Sequence, residues 1–201
     1  MTQDVVAAGP AEAREKGNLD RATIVSTALR LLDDVGIDGL STRRLAAELG
    51  IKSASLYWHF KDKDELLNEM SGVMFEECLH RPDTSQPGFN ALDWLADGAR
   101  AIRRTALSRR DGAQVMARPR PKASKAPLED NVQALTGSGL NDAEARMATQ
   151  TLQRFAIGAA MQEQSDVGAG NVAGTGDEGF EFGLKTFIDG LRVRFSDRTR
   201  H

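Results

Sequence analysis

Between residues 41 and 63 the chain reads STRRLAAELGIKSASLYWHFKDK. Tyr57, Trp58 and His59 follow the small residues Ser53, Ala54 and Ser55, and Lys61 and Lys63 come close behind. Small side chains let a backbone sit deep in a groove, while basic and aromatic ones meet phosphates, sugars and base edges, so this stretch has the chemistry of nucleic-acid recognition. Catalysis finds no comparable constellation. The three histidines, His59, His80 and His201, stand at no ligand spacing from one another. There is no G-x-S-x-G elbow, phosphate-binding glycine loop or H-E-x-x-H pair either. No catalytic residue, metal ligand or cofactor is expected.

Two short helices must position these groups. Leu45, Ala46 and Leu49 form one apolar face of a first helix that Ser41 caps, and Gly50 ends it. Leu56 and Phe60 lie four apart and turn inward from a second helix over Ser53 to Phe60, leaving Ser53 and Tyr57 on another face. That is a helix-turn-helix layout, in which the second helix enters the major groove. Helices this short are unstable alone, so neighbours must clamp them. One neighbour is the preceding pattern Ile24, Val25, Ala28, Leu31, Leu32 and Val35, closed by Gly36 with Ile37 beside it. Another follows: Asp62 and Glu65 are spaced as N-cap and N3 of a helix through Leu66, Leu67, Met70, Val73, Met74 and Leu79.

Leu19 to about Leu67, with TRRLA-x-x-LG and then LYWHF-K-x-K in register, resembles the DNA-binding domain of the tetracycline-repressor (TetR) family. The resemblance implies that Thr42 and Lys63 contact phosphate, and that Arg43, Ser53, Ala54, Ser55, Tyr57 and His59 face bases or the adjacent backbone. Arg43 is then the candidate for bidentate guanine contact, because its fork matches O6 and N7. Lys52 joins Arg43, Arg44 and Lys63 among the bases in or beside the expected DNA surface.

The chain of 201 residues has a formal charge of −3 and 40% hydrophobic content. It is therefore no uniformly basic coat for nucleic acid, and any affinity for DNA must be local. A single cysteine excludes an intrachain disulfide. With no signal-like or membrane-spanning apolar run, a soluble cytoplasmic protein is expected. Three regions are expected: a disordered N-terminal arm at 1–18, a helix-turn-helix domain at 19–65 and a helical effector-binding and dimerisation domain at 66–201. The arm's Arg14 and Lys16 leave open an alternative role in tracking phosphates.

The larger domain reads as all helical after a breaker-rich linker at 80–88. Helices are expected at about Asn90–Leu107, Asp111–Ala117, Ala126–Thr136, 141–164 and 180–195, with a basic proline-punctuated loop at 118–127 and a glycine-rich mobile loop at 165–179. This domain resembles the C-terminal domain of the tetracycline repressors, through TALSRRDGAQVMARPRP in the pocket region and FEFGLKTFIDGL in the final helix. The resemblance implies homodimerisation through the helices at about 141–164 and 180–195, a double-stranded operator and a small-molecule effector. Where it implies a metal-contacting histidine the chain has Met116, and where it implies an acidic residue it has Gln162, next to Glu163. A thioether is a poor magnesium ligand, so no metal-tetracycline site is expected. Ile102, Met116, Arg120 and Phe155 remain effector-pocket candidates, with Trp94 a further one. The alternative to a ligand-responsive repressor is an all-helical small-molecule-binding protein or enzyme without operator binding.

Overall fold

Short polar side chains set the helix starts. The Asp20 carboxylate accepts from Thr23 N at 2.7 Å, Ser41 Oγ from Arg44 N at 3.2 Å, and Asn90 Oδ1 from Leu92 N and Asp93 N at 3.0 and 3.2 Å. Asn141 and Glu144 cap each other, the Glu144 amide donating to Asn141 Oδ1 and the Asn141 amide to Glu144 Oε2. The computed structural model describes residues 19–78, 82–121, 124, 126–137, 139–168 and 176–198. Among them it has nine α-helices and no strand: α1 Arg21–Gly39, α2 Thr42–Glu48, α3 Ser53–Leu56, α4 Lys63–Cys78, α5 Ala91–Leu107, α6 Gly112–Met116, α7 Ala126–Thr136, α8 Asp142–Gly168 and α9 Gly176–Arg198. The expected arm at 1–18 lies outside the described residues, as do Leu79, His80 and His201 and the side chain of Phe195.

The all-α class and the two-part organisation agree with the sequence pattern. In the head, Ile24, Val25, Ala28 and Leu32 of α1 meet Leu40, Leu45, Ala46, Leu56, Phe60, Leu66 and Leu67 in one buried core. Truncating any of the buried leucines to alanine costs about 2–5 kcal/mol. α4 runs from this head into the body, where α5 packs on α8. Leu95, Ala99, Ile102 and Ala106 of α5 are buried, as are Ala145, Ala148, Leu152, Ala156 and Ala160 of α8. The small face of α8 lets α5 approach closely, while α7 and α9 cover the flanks.

Four boundaries differ from expectation. α3 stops at Leu56 and continues as a turn over Tyr57–His59, because the Leu56 carbonyl accepts from both His59 N and Phe60 N at 2.9 Å. Gly36 bends α1 instead of ending it: at φ 71°, ψ 175° it takes a conformation open essentially to glycine, and one helical turn follows it. Of the loop expected at 165–179, Ser165–Gly168 and Gly176–Gly179 are helical, and 169–175 lie outside the described residues. Tertiary contacts override the glycine content there. Arg103 holds Glu163 Oε2 and Asp177 Oδ1 at 2.7 Å each, drawing the end of α8 and the start of α9 together. The Gln164 amide meanwhile donates to the carbonyls of Ala106 and Arg109.

Candidate nucleic-acid interface and effector cavity

Between α2 and α3 the chain turns through a Schellman motif. Gly50, at φ 66°, donates to the Ala47 carbonyl at 3.1 Å, Ile51 N donates to the Ala46 carbonyl at 2.9 Å, and Ile51 packs against the core. This turn aims α3 with its buried Leu56 inward. Ala54 and Lys52 are exposed, Ser53 and Ser55 half-buried. Tyr57 is 59% exposed and Trp58 89%. The turn that buries Phe60 therefore pushes a large aromatic surface outward, and Trp58 belongs with the candidate contacts although the helical pattern did not select it. Its neighbours Tyr57 and His59 were the available signal. His59 is half-buried, and its carbonyl accepts from the Arg21 guanidinium.

Thr42 opens α2 and is half-buried, and Arg43 beside it is exposed with no ion pair among the described residues. Arg44 turns back to the Gly39 carbonyl at 3.1 Å. Lys63 also turns back, donating to the Ile37 carbonyl at 2.7 Å while half-buried. An ammonium has three donors, so this bond fixes its position and leaves others for a phosphate. Arg21 lies over the Phe60 ring at 4.3 Å and pairs with Glu65 and Glu69 at 3.0 and 2.7 Å. Glu65 also accepts from Lys61 N at 2.8 Å. That backbone bond, and then Arg21, hold its carboxyl below the usual value.

The head is joined to the body at the α5–α6 corner. Asp111, itself at φ 54°, accepts from Ile37 N at 2.8 Å, and Arg110 donates to the Asp34 carbonyl at 3.0 Å. Arg109 bridges Asp33 and Glu77 at 3.3 and 3.1 Å. Arg118, beyond α6, meets Asp64 in the first turn of α4 at 2.6 Å, and its carbonyl accepts from Ser71 Oγ. The segment from Arg109 to Arg120 thus touches α1, both ends of α4 and the body.

Inside the body, α5, α7 and α8 enclose a cavity of about 260 Å³ lined by Trp94, Leu95, Ile102, Arg120, Asn131 and Leu152, among others. Ile102, Arg120 and Trp94, three of the pocket residues expected from sequence, come together here. Met116 and Phe155 do not. Met116 is 1% exposed and packs in the core of α6, and Phe155 turns to the other side of α8, where its ring stacks on Phe180 at 5.2 Å. Both have the apolar character of a pocket wall but serve the packing of neighbouring helices. Of the two side chains beside the expected acidic position, Gln162 donates to Asp166 at 3.2 Å and Glu163 accepts twice from Arg103. No group of three or more metal-binding side chains occurs among the described residues, and no described helix is long and apolar enough to cross a membrane.

Comparison with known proteins accords with this division. Residues 24–70 match the family described as bacterial regulatory proteins, tetR family, and residues 87–173 match the tetracyclin repressor-like C-terminal domain. The chain is 33% identical over 195 residues to the tetracycline repressor protein class A from transposon 1721 of Escherichia coli, covering 86% of this chain and 90% of that one. Among solved structures, a TetR variant from Acinetobacter baumannii AYE in complex with minocycline superposes with a TM-score of 0.80 at 30% identity, covering 89% of this chain and 99% of that one. BioQ with its double-stranded DNA operator superposes with a TM-score of 0.70 at 30% identity, covering 87% and 98%. With a helix-turn-helix head in place and a relative this similar along nearly its whole length, the chain belongs to the TetR family of bacterial regulatory proteins and is a DNA-binding transcriptional regulator.

Proposed function

We propose that the chain is a cytoplasmic, ligand-responsive repressor that binds a pseudo-palindromic operator as a homodimer, and that it catalyses no reaction. The observation that carries the DNA contact is the pairing of exposed, uncommitted groups with a clamped scaffold. Arg43, Lys52, Tyr57 and Trp58 are free at the surface, while Leu45, Leu56 and Phe60 beneath them are buried. A dimer sets two such heads about one helical turn, roughly 34–36 Å, apart or somewhat more. BioQ, which is similar in sequence and fold, was crystallised on its operator, and this supports the same use of the head here.

For the dimer, the outward face of α8 carries Met147 and Met161, and that of α9 carries Phe182 and Val193; all four are large apolar side chains at 40–76% exposure. Gly158 and Gly190 lie on the same faces, where an added Cβ would meet nothing within 4 Å. Small residues between bulky ones permit close approach of a second helix pair, as a four-helix interface requires.

The effector belongs in the cavity beneath α5, whose Arg120 rests on the Phe75 ring of α4 at 4.2 Å. A ligand that shifts residues 118–121 pulls on α4 through Phe75, Ser71 and Asp64. Coupling of about 1–3 kcal/mol changes operator affinity some 5- to 150-fold. Metal-bound tetracycline is not the proposed effector, because Met116 is a buried thioether and Glu163 is committed to Arg103.

Gel-shift titration of the full chain against the DNA upstream of its own gene tests this function. A single palindrome bound with a Kd of roughly 10⁻⁸–10⁻¹¹ M, weakening steeply as salt rises, is the expected result. No retarded band at low salt would refute operator binding.

A further inference from the structure

Arg120 is the most unusual group in the cavity wall. Its Nη2 donates to Gln153 Oε1 at 3.2 Å, but Nη1 is buried without a hydrogen-bond partner, and among the described residues no carboxylate pairs with it. Burial pushes the guanidinium below its ordinary pKa, yet arginine keeps its charge in proteins, so a half-buried cation rests on the Phe75 ring with a single amide as its hydrogen-bond acceptor. Across the cavity Asn131, itself 7% exposed, has its Oδ1 buried and unpartnered as well. Arg104 adds a second positive charge at the rim. The one carboxylate in the lining, Asp97, accepts from Arg100 at 2.9 Å. Thr149 also lines the cavity, but its hydroxyl donates to the Ala145 carbonyl, and the rest of the wall is mostly apolar: Leu95, Ala99, Ala101, Ile102 and Leu152, with Trp94 at the side.

A partly buried charge without a counter-ion is costly, and a buried polar oxygen without a donor is a further cost. Together they define the ligand chemistry that the cavity suits. We propose that the cavity takes a small hydrophobic monocarboxylate, its anionic oxygens on Arg120 and its apolar body among Leu95, Ile102 and Leu152. A neutral donor on the ligand, where present, meets Asn131 Oδ1. The volume, about 260 Å³, lies just below the range of drug-sized pockets, roughly 300–1,000 Å³, so the ligand is a short-chain or one- to two-ring acid. This rests on the cavity being the effector site, and it names the chemistry that the site selects. Because Arg120 sits on Phe75 of α4, the same contact that recognises the carboxylate bears on the helix leading to the head.

Calorimetric titration of the full chain with octanoate and 2-naphthoate, against octanamide and 2-naphthamide, tests it. The amides keep shape and size and lose the charge. At least one acid is expected to bind, with its amide at least about tenfold weaker, equivalent to about 1.4 kcal/mol. In Arg120→Met, which keeps the side-chain length, acid and amide should bind within about threefold of one another, whereas Arg120→Lys should retain the preference. Amides that bind the unmodified chain as tightly as the acids, or no acid binding at millimolar concentration, would overturn the proposal without requiring any variant to fold. Operator binding by the ligand-free chain is measured separately. A chain that binds its palindrome but no carboxylate keeps the repressor function and loses this ligand class, and one that binds the acid but no DNA does the opposite.

Discussion

Single side chains would divide the proposed DNA surface into groups that read and groups that hold. Arg43 is exposed and unpaired, so Arg43→Ala should cost about 1–3 kcal/mol of operator affinity and relax preference at one base pair. Lys52→Ala should weaken all sequences alike and reduce the salt slope by about one. Competition titrations against single-base operator variants separate the two, and equal loss on every variant for Arg43→Ala would remove it from base reading. Lys63 is a poorer probe than its motif position suggests, since its bond to Ile37 also holds α4 to α1. Glu65 offers a pH test. Its folded carboxyl lies below the ordinary 4.5, so its contribution to stability is complete above that value and is lost as pH falls through the folded one. The melting-temperature gap between the parent and Glu65→Gln should be widest above about pH 4.5 and close in acid; a gap constant from neutral to acid pH would assign its role to packing instead. Capping residues at this scale were legible because their chemistry is local: Asp20, Ser41, Asn90 and Asn141 each bond within three residues. Met116 and Phe155 were not, because an apolar side chain at helical spacing does not say which neighbour it meets.

At the scale of elements, two glycines with positive φ do different work. Nothing lies within 4 Å of a Cβ added to Gly50, so Gly50→Ala should cost only the left-handed conformation, about 1–2 kcal/mol, with Gly50→Asn recovering part of it. At Gly36 the added Cβ meets Asp111 Oδ2 at 2.7 Å and Arg110 Nε at 2.9 Å, and the backbone conformation itself excludes other residues. Gly36→Ala should therefore lose more than Gly50→Ala in urea denaturation. It should also loosen the corner where Asp111 holds Ile37, raising hydrogen exchange at the Ile37 amide. Equal stability losses and an unchanged Ile37 amide would show that the joint tolerates the change. Gly50 was readable as a helix stop, since the apolar pattern breaks there. The helical ends of α8 and α9 were not readable from their glycines: the Arg103 bridge between Glu163 and Asp177 is a contact across sequence, invisible to any local pattern.

For the whole molecule, a helical head and a larger helical body were legible from apolar periodicity, the breaker-rich stretch at 80–88 and the family resemblance, but the proposed assembly depends on a surface that the single chain leaves open. The inward stripe of α9, Phe180, Leu184 and Ile188, is buried within the chain, so it is core and cannot also be the interface. Phe182 and Val193 on α9, with Met147 and Met161 on α8, face away from that core. Phe182→Glu combined with Met147→Glu should thus leave the fold intact, because both side chains are mostly solvent-exposed in the monomer, and should split the dimer by placing like charges across its two-fold axis. Sedimentation equilibrium should then report a monomer with unchanged helical content. Operator affinity should fall further than in any single head variant, since a monomer engages one half-site and loses the gain from binding both at once. A double variant that sediments as a dimer would place the interface elsewhere. A stable monomer that still binds the full palindrome like the parent would mean that one head suffices, and that the spacing between heads is not what the effector controls.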